Sequence, residues 1–180
     1  MANKKKTPQT ESRKAHFRIP TSTEPKDYRS IVSRVIESFS IHEKHLAGHI
    51  LDYLAVDRLR HEFAYNVVMH NSIIAYGAKS KLILQIAEDV GAEIDRHNLS
   101  RVGALRNAFA HGDWVSSIRY RDDAGELQYL AVETMLGDGS LEEISYDDAA
   151  AEFFERINAL AEQLGELRCK IANKCAQEEL

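Results

Sequence analysis

The chain has little cysteine, proline or tryptophan: two, three and one residues out of 180. Cys169 and Cys175 lie late in a helical pattern, at a spacing that fits neither a CxxC metal knuckle nor a disulfide framework. A reduced, intracellular protein is expected. No apolar run approaches the roughly 18 residues needed to span a bilayer. The opening residues, MANKKKTPQTESRK, carry lysines but no apolar signal-peptide core. A soluble, cytoplasmic chain with no membrane association is expected. An excess of positive charge is missing too: 23 Lys and Arg stand against 28 Asp and Glu, a net charge of −5. That argues against a general basic field coating nucleic acid, so any RNA or DNA must be held by a local patch.

Apolar residues make up 44% of the sequence, enough for one domain with a sizeable core. Residues 1–26 are rich in Lys, Thr, Ser, Glu and Pro without periodicity, which predicts a flexible polar arm. Its Lys4, Lys5 and Lys6 could touch phosphate or simply keep the chain soluble. Residues 27–180 are expected to form the single domain. From Asp27 a helical stripe runs through Ile31, Val35 and Phe39, then, after a possible break near Ser40, through Leu46, Ile50 and Leu54. Leu59, Phe63 and Val67, followed by Ile74, predict a second buried stripe that Gly77 interrupts. Leu82, Ile83, Ile86 and Val90 predict a third, ended by Gly91.

A fourth helix is expected over roughly Leu99 to Ala110, burying Val102, Leu105 and Phe109, with Gly112 as its stop. The period then becomes two: WVSSIRY and ELQYLAV flank DDAG, the pattern of a β-hairpin over about 114–134. A third short strand near LEEIS is possible. From Tyr146 a long helix presents Phe153, Ile157, Leu160, Leu164, Leu167 and Ile171 in steps of three and four, the seam of a helix packed along another. Ser145 with Asp148 three positions on is its capping signal. The fold class expected is mainly α, a bundle of about five helices with a β-hairpin inserted before the long C-terminal helix.

Residues 105–112, LRNAFAHG, hold the candidate chemistry. Asn107 and His111 are four apart and therefore neighbours on a helix, and Arg106 is long enough to reach around to them. Arginine offers a fork of donors to phosphate oxygens, histidine exchanges protons near neutral pH, and the asparagine amide can orient the imidazole or a substrate. This trio could address one small anion without a metal or other cofactor. The same residues also suit a structural role, since cations complement the negative end of a helix. Arg96, Arg101, Arg119 and Arg121 flank the motif and are candidate contacts to a nucleic-acid backbone, or exposed charges paired with neighbouring carboxylates. Trp114 and Tyr120 could stack bases or pack the hairpin onto the bundle. His42, His45, His49 and Asp52 recur at helical spacing, which fits a solvated or interface face more than a zinc site.

With Arg106, Asn107 and His111, LRNAFAHG resembles the signature of the HEPN superfamily. The rest of the chain resembles it in architecture and not in residue matches. The resemblance implies a bundle of four or five helices. It further implies a metal-independent endoribonuclease that works as a homodimer, with motifs from two chains meeting at one site. Family chemistry placed here has the RNA 2′-hydroxyl attack its own phosphodiester, leaving a 2′,3′-cyclic phosphate and a 5′-hydroxyl. His111 would move protons, Arg106 would neutralise charge and Asn107 would orient. Proteins of this type often act as toxins or in phage defence, which implies an antitoxin or defence-system partner. One toxin group carries a tyrosine two positions after the histidine, where a partner enzyme modifies it. Here Gly112 and Asp113 follow His111, so that regulation is not expected. Some relatives keep the fold without cleaving, so a silent module binding a protein or nucleotide is the alternative, and a histidine-rich metal-binding bundle is a distant third.

Overall fold

The computed structural model describes residues 16–17, 28–111, 116–122, 125–135 and 139–178, and their side chains over 30–111, 131–134 and 139–177. Among the described residues, five α-helices and four strands follow one another as β1 (His16–Phe17), α1 (Tyr28–Tyr53), α2 (Arg58–Phe63), α3 (Tyr76–Val90), α4 (Arg96–Ala110), β2 (Ser116–Asp122), β3 (Gly125–Met135), β4 (Leu141–Ser145) and α5 (Tyr146–Glu178). The mainly helical bundle with an antiparallel hairpin before its last helix is the architecture expected.

Helix α1 is unbroken at Ser40, whose hydroxyl donates to the Ile36 carbonyl one turn back (2.8 Å). Its buried stripe of Ile31, Val35, Phe39, Leu46 and Ile50 faces α5, α3 and α4. Leu54 falls beyond the last turn and is exposed. The predicted second stripe does not form a core face. Helix α2 lasts six residues before one π-helical turn (Ala64–Val68), and Leu59, Phe63 and Val67 are 95%, 63% and 42% exposed. Only Met69 of the segment is buried, with Ile74 packed against the core. Gly77 does not interrupt a helix either. It sits in the first turn of α3, and α3 buries Ile83 and Ile86 while Leu82 turns outward. Gly91 ends α3 in the left-handed conformation (φ 69°), as a C-terminal glycine should.

The seam of α5 is as expected: Phe153, Ile157, Leu160, Leu164, Leu167 and Ile171 are all buried. Ser145 caps its start, its Oγ accepting from the Asp148 amide (3.1 Å) and donating to the Asp148 carboxylate (2.6 Å). The hairpin of β2 and β3 pairs from Ser116 with Ala131 to Asp122 with Gly125. It belongs to a larger sheet of order β1-β4-β3-β2. β4 is the short strand anticipated at LEEIS. β1 was not anticipated: within the segment expected as a free arm, His16 and Phe17 pair parallel to Glu142 and Glu143. The rest of that arm and Trp114 lie outside the described residues.

An ionic knot fastens the sheet to the bundle. Arg101 of α4 donates from Nε and Nη2 to both carboxylate oxygens of Glu152 on α5 (2.9 and 3.0 Å), and from Nη2 to Glu142 on β4 (2.6 Å). Arg156 adds a bond to Glu152 (2.8 Å). This bidentate pairing is the geometry arginine favours with carboxylates.

Candidate functional site at the α3–α4 cleft

Helix α4 starts firmly: the Asp95 carboxylate accepts from the amides of His97 and Asn98 (2.7 and 3.1 Å), filling the N-cap role. Leu99, Val102, Leu105 and Phe109 anchor one face in the core. The opposite face, through Arg96, Ser100, Gly103, Ala104, Asn107 and His111, borders a cleft of about 1360 Å³. Helix α3 forms the other wall through Tyr76, Ser80, Lys81, Leu84 and Gln85, and Glu133 and Thr134 of β3 border it from the sheet.

Close approach of the walls requires Gly103. A Cβ there would stand 2.9 Å from Cε1 of the Tyr76 ring. Tyr76 is fixed in turn by its hydroxyl, which donates to the Leu99 carbonyl (2.9 Å), and by ring contact with Phe39 (centroids 4.7 Å apart). Burial pushes its phenol well above the usual range, with the Ser80 hydrogen bond opposing and the Glu43 charge adding to the shift. Tyr76 is therefore a neutral wall.

Arg106, Asn107 and His111 meet at the C-terminal end of this cleft. Arg106 is half-buried. Its guanidinium lies over the Phe39 ring (5.2 Å to the centroid), and its Nη1 donates to Asn107 Oδ1 (3.1 Å). Its Nε is buried without a partner among the described residues. His111 closes the helix as its C-cap (φ −100°, ψ 46°), its amide donating to the Asn107 carbonyl (3.0 Å), and its side chain is exposed. Asn107 thus holds both neighbours, Arg106 through its side chain and His111 through its backbone. One fixed cation and one solvent-facing imidazole stand at the mouth, an arrangement able to bind an anionic oxygen and exchange a proton beside it.

The flanking arginines divide. Arg96 is exposed and borders the cleft. Arg101 does not: it is 5% exposed and engaged by Glu142 and Glu152, so it serves the sheet–bundle junction and is no RNA contact. Arg119 and Arg121 alternate along β2 on one face, with side chains outside the described residues.

The histidine stripe also departs from expectation. His42 is buried, not solvated. Burial, with the nearby His45, holds its pKa down at about 4, and its Nε2 lies 3.5 Å from the Tyr76 hydroxyl. His45 is exposed and His49 half-buried. Among the described residues no group of three or more His, Cys, Asp or Glu is placed to hold a metal ion.

A polar cluster at the cleft wall, with Glu43 and Asn71 among the lining residues, went unforeseen. Lys79, 3% exposed, donates to Glu43 Oε1 (3.2 Å) and Asn71 Oδ1 (2.9 Å), and Asn71 donates to the same Glu43 carboxylate. The signal was present: Glu43 adjoins the apolar stripe of α1 and Lys79 falls between Tyr76 and Ile83 on the inward face of α3, both places where a charge must find a partner. No described helix is long and apolar enough to cross a membrane. No family model, curated protein or solved structure matches the chain.

Proposed function

We propose that the chain is an endoribonuclease of HEPN type, cleaving RNA without a metal ion where the cleft meets the C-terminal end of α4. The observation that carries this reading is the convergence of Arg106, Asn107 and His111 on one cleft, with the Arg106 Nε unbonded among the described residues. An unsatisfied buried donor is costly, and an arginine held by an aromatic face and an amide is preorganised for an anion.

In the proposed reaction the ribose O2′ bonds to phosphorus as its proton leaves to an imidazole. The P–O5′ bond then breaks, with O5′ taking a proton. The products are a 2′,3′-cyclic phosphate and a 5′-hydroxyl. The requirement for a 2′-hydroxyl selects RNA over DNA. Arg106 offsets the charge on the non-bridging oxygens, and Arg96, with Arg119 and Arg121 of β2, supplies backbone contacts. One His111 serves as acid or base at a given moment, so a second copy of the chain supplies the other group. The exposed apolar side chains Leu59, Phe63 and Ile73 give the monomer a surface that favours association. A cytoplasmic toxin or defence effector restrained by an antitoxin or sensor protein fits such an activity.

A silent module holding a protein or nucleotide in the same cleft is the second reading. It is favoured by the contact of Arg106 with Phe39, which would also serve structure alone. Expression separates the two: the nuclease predicts toxicity that His111→Ala abolishes with folding intact, whereas the silent module predicts harmless expression and a co-purifying partner.

A further inference from the structure

The cleft is much larger than the chemistry at its end requires. Its volume, about 1360 Å³, exceeds the roughly 300–1,000 Å³ of a site for one small ligand. It follows α4 from His111 back to Arg96, a length of about 20 Å at the helical rise. Arg106, Asn107 and His111 occupy only one end. Midway the walls are apolar or small, with Leu84, Ala104 and the half-buried Tyr76 ring. Ser100 and Gln85 offer hydrogen bonds. Among them stand the exposed cations Lys81, on the α3 wall, and Arg96, at the start of α4, neither with an ion-pair partner among the described residues, while the lining carboxylates are Glu133 and Glu43, the latter held by Lys79.

We propose that the α3–α4 groove is an extended subsite for single-stranded RNA, seating the nucleotides on one side of the scissile linkage with Lys81 and Arg96 holding their phosphates. This rests on the reading of Arg106 and His111 as the cleavage end. Unpaired bases present flat apolar faces to such walls and hydrogen-bonding edges to Ser100 and Gln85. A partner helix would also value an apolar groove. Lys81 and Arg96, unpaired among the described residues, together with Arg106 and His111 outnumber the lining carboxylates Glu133 and Glu43, of which Glu43 is already held by Lys79, and so favour a polyanion.

The test compares binding of a fluorescein-labelled single-stranded RNA hexanucleotide with that of a dinucleotide, in the His111→Ala chain so that neither is cut. The groove predicts Kd at least tenfold lower for the hexanucleotide. Ala104→Leu, which fills the groove, should collapse that ratio toward one, and the exposed Ser100→Leu should do the same if Ala104→Leu does not fold. Arg96→Ala should lower the ratio and flatten its salt dependence. A ratio near one, or one that the variants leave intact, overturns the proposal. So does a change of oligomeric state by Ala104→Leu or Ser100→Leu with the ratio intact, which would assign the groove to a helix of a second copy. Cleavage of RNA by the wild type tests the activity separately: cleavage without length dependence removes the groove alone, and length-dependent binding without cleavage removes the nuclease alone.

Discussion

Arg101 shows what a buried charge demands. Its guanidinium would lose hydration on leaving water, and burial alone would lower its pKa, but Glu152 and Glu142 outweigh that and raise it. Glu152 shows the converse: burial pushes its carboxyl up, and Arg101 and Arg156 bring it down to about 2. Removing one partner strands the others, so Arg101→Ala should cost about 3–5 kcal/mol, measurable as a lowered urea midpoint. His42 makes a second prediction. Its folded pKa of about 4 lies below the ordinary 6.5, so between those values the unfolded chain binds more protons and stability falls as pH falls. The contribution reaches about 3 kcal/mol, and His42→Phe should remove it when urea unfolding is compared at pH 7.5 and 5. Below pH 4.5 protonation of Glu152 continues the loss in both chains.

At the scale of elements, termini and pairing decide what a single sequence can and cannot disclose. Apolar steps of three and four specified α5 and the core face of α4, because a long helix against one core keeps a constant inward face. The same steps misled at Leu59, Phe63 and Val67: α2 ends after six residues, too short to hold a stripe against the bundle. Arg101 was misjudged because its partners lie 41 and 51 residues away, a distance at which periodicity carries no signal. β1 escaped notice because two residues have no detectable period. The end of α1 supplies a prediction of its own. Ala55 adopts φ 49°, where a Cβ is strained, as the Val56 amide closes the helix onto the Leu51 carbonyl (3.3 Å). Ala55→Gly should relieve that strain and stabilise the fold by about 0.5–1 kcal/mol, read as a raised Tm.

Across the whole molecule, α1, α3, α4 and α5 form a helical frame to which Arg101 locks the sheet. The cleft runs along α4 between α3 and the sheet. The LRNAFAHG segment was legible as a candidate site because its polar residues interrupt an apolar pattern at a helix end. Its surroundings were not, since Phe39 reaches Arg106, and Tyr76 and Lys81 reach the cleft, only through folding of distant segments. The most direct measurement is cleavage of mixed cellular RNA by wild type, Arg106→Ala and His111→Ala, with EDTA present and product ends mapped. The proposed activity predicts cuts bearing 2′,3′-cyclic phosphate from the wild type, reduced at least a hundredfold in either variant. No cleavage, or equal cleavage by all three folded proteins, would contradict it and return Arg106 and His111 to the structure of a helix end.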